Sequence, residues 1–240
     1  MAKSETTTSP MNARLLRHSV GRERLQLFSR NPMGMFGFIL VLLFFVAAIF
    51  APVLATHDPL ALDIPTRLSG PTLENWAGTD QLGRDTYSRV LYGGRVALQV
   101  AAIGVSISLS VGLGLGMLAG YGPRWLDNIL LLLFDSIRSF PTIVLALAAV
   151  ALLGPSLHLV LAIVIVTSIP SYARLARTST MALKNTDFVL AEKSLGAGTV
   201  RTLVRHIMPN VIGPLLILAA MDVPVVVTIE AGLSFLGLGV

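Results

Sequence analysis

The residues of this sequence best placed to do chemistry are ionisable side chains within long apolar stretches. Asp222 and Glu230 lie in and beside the last such stretch, and Asp135 and Arg138 lie in an earlier one. A charge at membrane depth usually faces a protein interior or a water-filled path. Asp222 and Glu230 are therefore candidates for a translocation path, since two prolines near Asp222 predict a bent helix beside a cavity. Asp135 and Arg138 are three residues apart, and we expect them to pair on one helix face, with a substrate contact as the alternative.

Catalytic chemistry finds no support in the sequence. None of the three lysines follows a Gly-x-x-x-x-Gly run, so there is no phosphate-cradling loop. No Gly-x-Ser-x-Gly elbow, His-Glu-x-x-His motif or paired-carboxylate motif occurs. The absence of cysteine excludes disulfides and thiolate metal sites, and no other histidine has metal-like spacing to His158. We predict that the chain is not an enzyme and has no catalytic, cofactor-binding or metal-binding residue.

Composition identifies the element that must position the charged residues. The chain is 54% hydrophobic and only 13% charged, with a mean hydropathy of +0.76. Apolar stretches long enough to cross a bilayer recur along it. These features predict an all-α, polytopic membrane helix bundle. The net charge of +5 does not indicate nucleic-acid binding, because no basic stripe with interleaved aromatic residues accompanies it.

The apolar stretches divide the chain into spans and connecting segments. Five spans are predicted, at about 35–54, 97–119, 125–153, 157–172 and 211–229. The expected organisation begins with a tail at 1–34, which includes a basic amphipathic segment from Arg14 to Phe28, and a first span at 35–55. A polar segment at 56–96 follows, and then a transmembrane core at 97–240 that includes a polar loop at 173–209. Within the polar segment, we expect Arg84 to Arg95 to form an interfacial helix. Three glycines at four-residue spacing predict close helix packing in the second span: Gly112, Gly116 and Gly120.

Orientation follows from the distribution of lysine and arginine. The tail holds six of them and the 173–206 region another six, whereas the 56–96 segment has four, accompanied by five acids. The positive-inside rule places the tail and the 173–206 loop in the cytosol and the acidic segment outside. Four crossings separate the tail from the loop, which agrees with this assignment. Five crossings then leave Val240 outside.

The loop at 185–210 differs from its apolar neighbours in charge and in helix-ending residues. Thr186 or Asp187 can cap a short helix, since their oxygens can accept free amide hydrogens of its first turn. Gly196 then ends that helix by adopting a positive φ. Thr199 can cap a second helix, which Pro209 breaks. The prediction is two short helices with a bend at Gly196.

This loop resembles the cytoplasmic loop of ATP-binding cassette importer permeases. The family's pattern is Glu-Ala-Ala, three residues, Gly, nine residues, then Ile-x-Leu-Pro. Aligned on Gly196 and Pro209, this chain has Leu-Ala-Glu at 190–192 and His-Ile-Met at 206–208. The leading Glu of the pattern is absent, and Glu192 stands two places later.

Two further stretches resemble one branch of that family, the dipeptide and oligopeptide permeases. The sequence GTDQLGRDTYSRVLYGGR at 78–95 is similar to the branch's Gly-Thr-Asp…Gly-Arg-Asp…Ser-Arg…Tyr-Gly…Arg signature. The sequence EAGLSFLGLGV at 230–240 is similar to its Glu-x-x-Leu-Ser-Phe-Leu-Gly-Leu-Gly run. The three separated motifs occur in the right order, and the resemblance covers nearly the whole chain from Phe28 onward. The chain most resembles the second permease subunit of such importers.

The resemblance implies that this chain is one subunit of a larger transporter complex. It implies a homologous second permease subunit, two cytosolic ATP-binding subunits or domains that carry ATP and Mg, and an extracytoplasmic peptide-binding protein. It also implies a multi-pass protein of the cytoplasmic (inner) membrane with a cytosolic N-terminus. The implied fold is that of a type I importer permease, with a sixth span expected beyond Val240. The ATPase-coupling loop would comprise Asp187, Ala191, Glu192, Lys193, Leu195, Gly196, Ala197 and Pro209.

Other functions remain open at this stage. Related branches share these motifs, so the cargo could be nickel or another small solute instead of dipeptides or oligopeptides. A secondary transporter would also be helical, but it would need coupling-ion sites and repeated broken helices, and the sequence has no internal repeat. A channel or membrane scaffold would not need the loop from Gly196 to Pro209.

Overall fold

A computed structural model describes residues 28–235, which form helices and turns without a β-strand. Most of the predicted basic segment from Arg14 to Phe28 therefore lies outside the described residues, as do the last five residues of the motif at 230–240. The described part of the chain divides into two compact units, which meet between Arg95 and Val96. Within residues 28–235, four helices are long and apolar enough to cross a membrane, or five spans if one bent helix pair is counted as a span. This is a polytopic helical membrane protein, as predicted.

The first unit begins with an apolar helix of membrane-span length. Helix α1 runs from Pro32 to Ile49, and the short helix α2 follows at Ala51–Leu54. Asn31 caps α1 by accepting a hydrogen bond from the amide of Gly34 at 3.1 Å. Proline fits the first position of α1 without loss of a hydrogen bond, because an amide hydrogen at that position would have no partner inside the helix. Ala48 is the one buried residue of α1, so nearly all of its apolar surface is free to face lipid.

The polar segment after α2 is held together by hydrogen bonds to two aspartates. Apart from one 3-10 turn at Ile64–Thr66, it lacks regular structure up to Asp85. Asp80 accepts hydrogen bonds from the amides of Leu82 at 2.8 Å and Arg84 at 3.0 Å, and forms ion pairs with Arg84 and Arg89. Burial raises the pKa of Asp80, but these hydrogen bonds and the Arg84 charge outweigh it and lower the pKa to about 2. Asp80 is thus ionised at any physiological pH.

Asp85 fixes the start of the next helix. Helix α3 runs from Thr86 to Tyr121, and its beginning lies in the first unit. The Asp85 carboxylate accepts hydrogen bonds from the Ser88 amide at 2.8 Å, the Ser88 hydroxyl at 2.6 Å and the Thr56 hydroxyl at 3.2 Å. Burial opposes ionisation of this carboxylate, yet the hydrogen bonds prevail and lower its pKa. The side chain therefore caps α3 as a charged group.

The helix predicted from Arg84 to Arg95 forms from Thr86 onward, but it does not end before the second span. It is the first part of α3, which continues without a break into that span. No proline occurs between 84 and 121, and the paired glycines at 93–94 are not enough to end a helix whose next turns are packed. Ala97, Val100 and Ala101 are all buried, and their packing supports the helix past the glycines.

The second unit is a bundle of helices around a main apolar core, with a smaller apolar cluster beside it. After α3 the chain forms α4 (Arg124–Arg138), α5 (Thr142–Leu153), α6 (Leu157–Leu183), α7 (Asp187–Ser194), α8 (Thr199–Thr202), a π turn (Leu203–Ile207) and α9 (Met208–Phe235). The core joins α3, α6 and α9, with fully buried side chains such as Val100, Val164, Tyr172 and Leu215.

The predicted third span is not one straight helix. Helices α4 and α5 meet at an angle of 77° across a break of three residues. Pro141 accounts for the break, since its ring and missing amide hydrogen disfavour a continuous helix. By length and composition, the pair is either one broken span or a re-entrant loop.

The fourth span was predicted at 157–172, but its helix is longer. Helix α6 continues through Pro170 and past Tyr172 to Leu183. Residues 173–183 contain arginines and threonines, which suggested a loop, but Ala173, Ala176 and Thr180 are fully buried. Tertiary packing therefore extends the helix beyond its apolar stretch.

Close packing of α3 against α6 depends on the glycines at 112, 116 and 120. A Cβ atom on Gly112 would lie 2.5 Å from the Tyr172 Cβ, and one on Gly120 would lie 2.7 Å from the Arg177 carbonyl oxygen. A Cβ on Gly116 would overlap the Ala173 carbonyl oxygen. The predicted role of this stripe in helix packing is confirmed.

Pro209 does not break the chain as predicted. The last long helix starts before it, at Met208, so the fifth span begins earlier than 211. The π turn at Leu203–Ile207 precedes it, and the Met208 amide donates to the Leu203 carbonyl five residues back. A widened turn of this kind can accommodate a proline ring and its missing donor.

Candidate functional site

The loop at 185–210 begins with a short helix whose cap differs from the prediction. Helix α7 starts at Asp187 with Thr186 in the cap position. The Thr186 hydroxyl does not cap the helix, because it donates to the Leu183 carbonyl at 2.6 Å. The Asp187 carboxylate still favours the helix electrostatically, since it lies in the first turn near the positive end of the helix dipole.

Gly196 ends α7 as predicted. Its φ is +84°, a value that glycine adopts without steric cost. The Gly196 amide donates to the Lys193 carbonyl at 2.9 Å, and the Ala197 amide donates to the Glu192 carbonyl at 3.0 Å. This pair of bonds is a Schellman motif, which satisfies two carbonyls that a helix end otherwise leaves free.

The cap of the loop's second helix lies one residue before the predicted one. Gly198 occupies the cap position of α8, and no side chain caps it. Thr199 is the first helical residue, so the prediction that its hydroxyl caps the helix is wrong. Gly198 has an extended φ of −70°, which leaves the chain between α7 and α8 short and bent.

Three contacts attach α7 to the rest of the second unit. Val189 is fully buried in the main core. The Glu192 carboxylate lies 3.5 Å from His206 Nε2 in the π turn. The Lys193 ammonium lies 4.9 Å from the centre of the Tyr121 ring at the end of α3. A force on α7 can therefore reach both α3 and α9.

The opposite side of α7 presents apolar side chains to the surroundings. Leu195 is 84% exposed, and Phe188 and Leu190 are each more than two-fifths exposed. Of the remaining predicted coupling residues, Asp187, Ala191 and Pro209 are exposed and Ala197 is partly buried. The geometry is a short helix with one anchored face and one apolar face with no partner among the described residues.

A second group of functional candidates consists of charges near the bend between α4 and α5. Asp135 forms an ion pair with Arg174 of α6, and Asp127 forms a bidentate one with Arg177, with one bond at 2.6 Å. The predicted pair between Asp135 and Arg138 is therefore wrong. Helix α6 presents two arginines three residues apart that match the two aspartates of α4, and these partners are 39 and 50 residues apart in sequence.

Arg138 and Asp222 both line a cavity of about 330 Å³. Its wall is formed by Ile137, Arg138, Phe140, Pro141, Thr142, Thr167, Ser168, Ser171, Asp222, Val225 and Ile229. The Arg138 guanidinium donates to the Ser171 hydroxyl. The Asp222 carboxylate accepts a hydrogen bond at 3.0 Å from the hydroxyl of Tyr172, whose side chain is fully buried.

The two acids predicted for the translocation path are placed differently. Asp222 lies in the cavity wall, whereas Glu230 is partly buried further along α9 and does not line it. Sequence reasoning missed Ser171 and Tyr172 and misassigned Arg138. The prolines could have indicated where the cavity lies, because Pro141, Pro170 and Pro224 are each within three residues of a cavity-lining side chain. In the described part of the chain, no group of three or more potential metal ligands occurs.

Comparison with known proteins agrees with this architecture. The profile of the family described as "Binding-protein-dependent transport system inner membrane component" matches residues 112–240. The profile described as "N-terminal TM domain of oligopeptide transport permease C" matches residues 19–71. The two matches together cover the first span, the loop at 185–210 and the residues that line the cavity.

Similar curated proteins belong to the same class. The chain is 36% identical over 218 residues to a dipeptide transport system permease protein DppC of Alkalihalophilus pseudofirmus, with 91% of this chain and 72% of the relative covered. It is 38% identical over 213 residues to a glutathione transport system permease protein GsiD of Escherichia coli O157:H7, with 88% and 70% covered. It is 34% identical over 239 residues to a probable D,D-dipeptide transport system permease protein DdpC of Escherichia coli strain K12, with 100% and 80% covered. The chain therefore belongs to the inner membrane component family of binding-protein-dependent transport systems, within the dipeptide and oligopeptide branch of ATP-binding cassette importer permeases.

Proposed function

We propose that this chain forms, with a homologous permease, the pathway by which dipeptides or oligopeptides cross the cytoplasmic membrane, driven by two cytosolic ATPases. An extracytoplasmic binding protein would deliver the peptide. The chain itself would hydrolyse no ATP, and ATP and Mg would bind only to its partners. The observation that carries this proposal is α7, a short helix anchored on one face and apolar on the other.

The contacts of α7 suit a mechanical coupling element. Its exposed Leu195 and Phe188 can enter a groove on an ATPase, where their burial would stabilise the contact. Val189, Glu192 and Lys193 hold the helix to the core, to the π turn and to α3. Closure of the ATPases would then move α7 as a rigid body and shift the two permease bundles between inward and outward openings. The proposed coupling loop is residues 185–210.

Orientation is part of the same proposal. The basic tail and the 173–206 region would lie in the cytosol, where the ATPases are, and the 56–96 segment would lie outside. The outside segment would then face the binding protein. The Asp80 network, with its carboxylate charged at physiological pH, would keep that segment folded in an aqueous setting.

The cargo proposal rests on the relatives. Two of the similar permeases are named for dipeptides and one for glutathione, itself a short peptide. None of the three relatives reported above is named for nickel or another small solute. A protein that imports short peptides must bind them weakly, because tightly bound cargo would not be released.

The test is assembly and uptake in a reconstituted complex. We expect the chain to co-purify with a pair of ATPases and to import a labelled dipeptide in the presence of the binding protein and ATP. Leu195→Asp should weaken ATPase binding at least tenfold, since it replaces an apolar contact by a charge. Leu195→Met is the matched control, because it keeps a similar apolar volume, and it should retain wild-type coupling. Normal peptide-stimulated ATP hydrolysis in Leu195→Asp would contradict the proposal.

A further inference from the structure

Arg138 and Asp222 belong to the charged residues of the second unit that lack an oppositely charged partner in the described part of the chain. Asp127 and Asp135 are each paired with an arginine of α6. Within residues 28–235, neither Arg138 nor Asp222 forms an ion pair; each is held by a neutral hydroxyl, of Ser171 and Tyr172 respectively. Both line the cavity at the bend between α4 and α5.

Unpaired charges at membrane depth are costly, so their position requires an explanation. Ion pairs elsewhere in the same bundle show that the fold can neutralise such groups with local partners. The hydroxyls orient Arg138 and Asp222 without neutralising them. Each retains the capacity for a strong, charge-assisted bond to a ligand.

The chemistry of the cavity selects one class of ligand. It presents a cation and an anion together, so a simple anion or a simple cation would meet one unfavourable charge. A zwitterion would satisfy both. The volume of about 330 Å³ is near the lower end for small-molecule sites and suits a solute of a few residues. Thr142, Thr167 and Ser168 add hydroxyls that can bond to peptide groups.

We propose that this cavity receives the backbone of a short peptide during transport, with Arg138 binding the peptide carboxylate and Asp222 binding its ammonium group. The inference rests on the proposed import of peptides and adds the residues that recognise them within the membrane. Guanidinium can bind carboxylate through two parallel bonds, which fixes the orientation of the peptide. Ser171 and Tyr172 act as positioning residues, because they orient the two charged groups.

The test uses a single cysteine at a cavity position, since the chain has none of its own. Ser168→Cys lines the cavity, whereas Ser110→Cys lies exposed on α3 outside it. The assembled complex is placed in nanodiscs of phosphatidylglycerol, so that no zwitterionic lipid headgroup competes. A small thiosulfonate reagent is added, and modification of this chain is read by mass spectrometry. The probes are alanyl-alanine in its L,L and D,D forms, and the N-acetylated and C-amidated versions of each.

The expected result is charge-specific protection. Free alanyl-alanine should slow modification of Ser168→Cys but not of Ser110→Cys. Each capped peptide should need a roughly tenfold higher concentration to give the same protection, because it loses one charged hydrogen bond. In Arg138→Gln the free and amidated peptides should protect equally, and in Asp222→Asn the free and acetylated peptides should do so. Arg138→Lys should retain a preference for the free carboxylate, because it keeps the charge.

Three outcomes would overturn the inference. A complex that imports alanyl-alanine without protecting Ser168→Cys has no peptide site in this cavity. Equal protection by free and capped peptides in the wild type removes the charge recognition, as does an unchanged preference in both variants. A complex that assembles but imports no peptide of any kind would refute the proposed function as well, so the two failures can be distinguished. The Ser168→Cys experiment keeps both native charges, so it does not depend on whether Arg138→Gln folds.

Discussion

Gly196 turns the chain between α7 and α8 at a φ of +84°, and among the described residues other than its two chain neighbours no atom lies within 4 Å of where its Cβ would stand. A side chain there would meet no neighbour. Its cost would come from the backbone alone, because residues with a Cβ disfavour the left-handed region by about 1 kcal/mol or more. This separates the effect of backbone strain from the effect of lost space.

The first prediction uses that separation. Gly196→Val should reduce peptide uptake and peptide-stimulated ATP hydrolysis together, since valine would leave the left-handed conformation and shift α7 from its partner. Gly196→Asn is the matched control: asparagine tolerates positive φ, so it should keep most of the coupling. Membrane insertion should be unchanged in both. Equal coupling in Gly196→Val and the wild type would argue that the bend does not position α7.

The conformation or contact of a residue could be predicted from the sequence where it depends on neighbouring residues in the chain. The positive φ of Gly196 follows from its place at a helix end, and the sequence predicted it. The partners of Asp135 and Arg138 follow from the approach of α6, 33 to 39 residues away, and no local spacing could indicate them. The role of Glu192 was also open from the sequence, and the structure places its carboxylate beside His206.

At the scale of helices, the apolar stretches predicted that spans exist but not where they end. Pro141 ends a helix, yet Pro170 and Pro209 do not. The difference lies in the surroundings of each proline. Ala173, Ala176 and Thr180 continue the buried face of α6 beyond Pro170. The π turn widens the helix just before Pro209, which leaves room for its ring. A proline removes one hydrogen bond, and whether a helix stops there depends on what its neighbours bury.

The second prediction concerns the contact between α3 and α6. Gly116→Ala should destabilise the protein by about 2 kcal/mol, because its Cβ would overlap a backbone oxygen that cannot easily move. Gly114→Ala is the matched control on the same helix, since in residues 28–235 no atom outside its own helical turns lies within 4 Å of the new Cβ. It should be neutral or stabilising by roughly 0.5–1 kcal/mol, from helix propensity.

Thermal unfolding in detergent checks both variants. A loss of about 2 kcal/mol corresponds to a melting temperature lower by roughly 4–8 °C in a chain of this size. Gly116→Ala and Gly114→Ala melting at the same temperature would mean that the close approach of the two helices does not limit stability.

At the scale of the whole molecule, the proposed function requires one particular orientation in the membrane. The coupling loop must face the ATPases, and the segment at 56–96 must face the binding protein. The asymmetry of lysine and arginine favours this orientation, because positively charged segments are retained in the cytosol. The structure adds which positions can report it: Ser69 and Thr199 are exposed, whereas Thr79 is buried and bonded to Ser69 and is unsuitable.

The third prediction is the labelling pattern that follows. Single cysteines at Ser69 and Thr199 are introduced separately, and the chain is expressed with its permease partner but without the ATPases, so that Thr199→Cys is not covered. An impermeant maleimide applied to intact cells should label Ser69→Cys and spare Thr199→Cys. After permeabilisation both should react, which controls for the accessibility of each thiol. Labelling of Thr199→Cys in intact cells would put the coupling loop on the side without ATP and would refute both the orientation and the role proposed for α7.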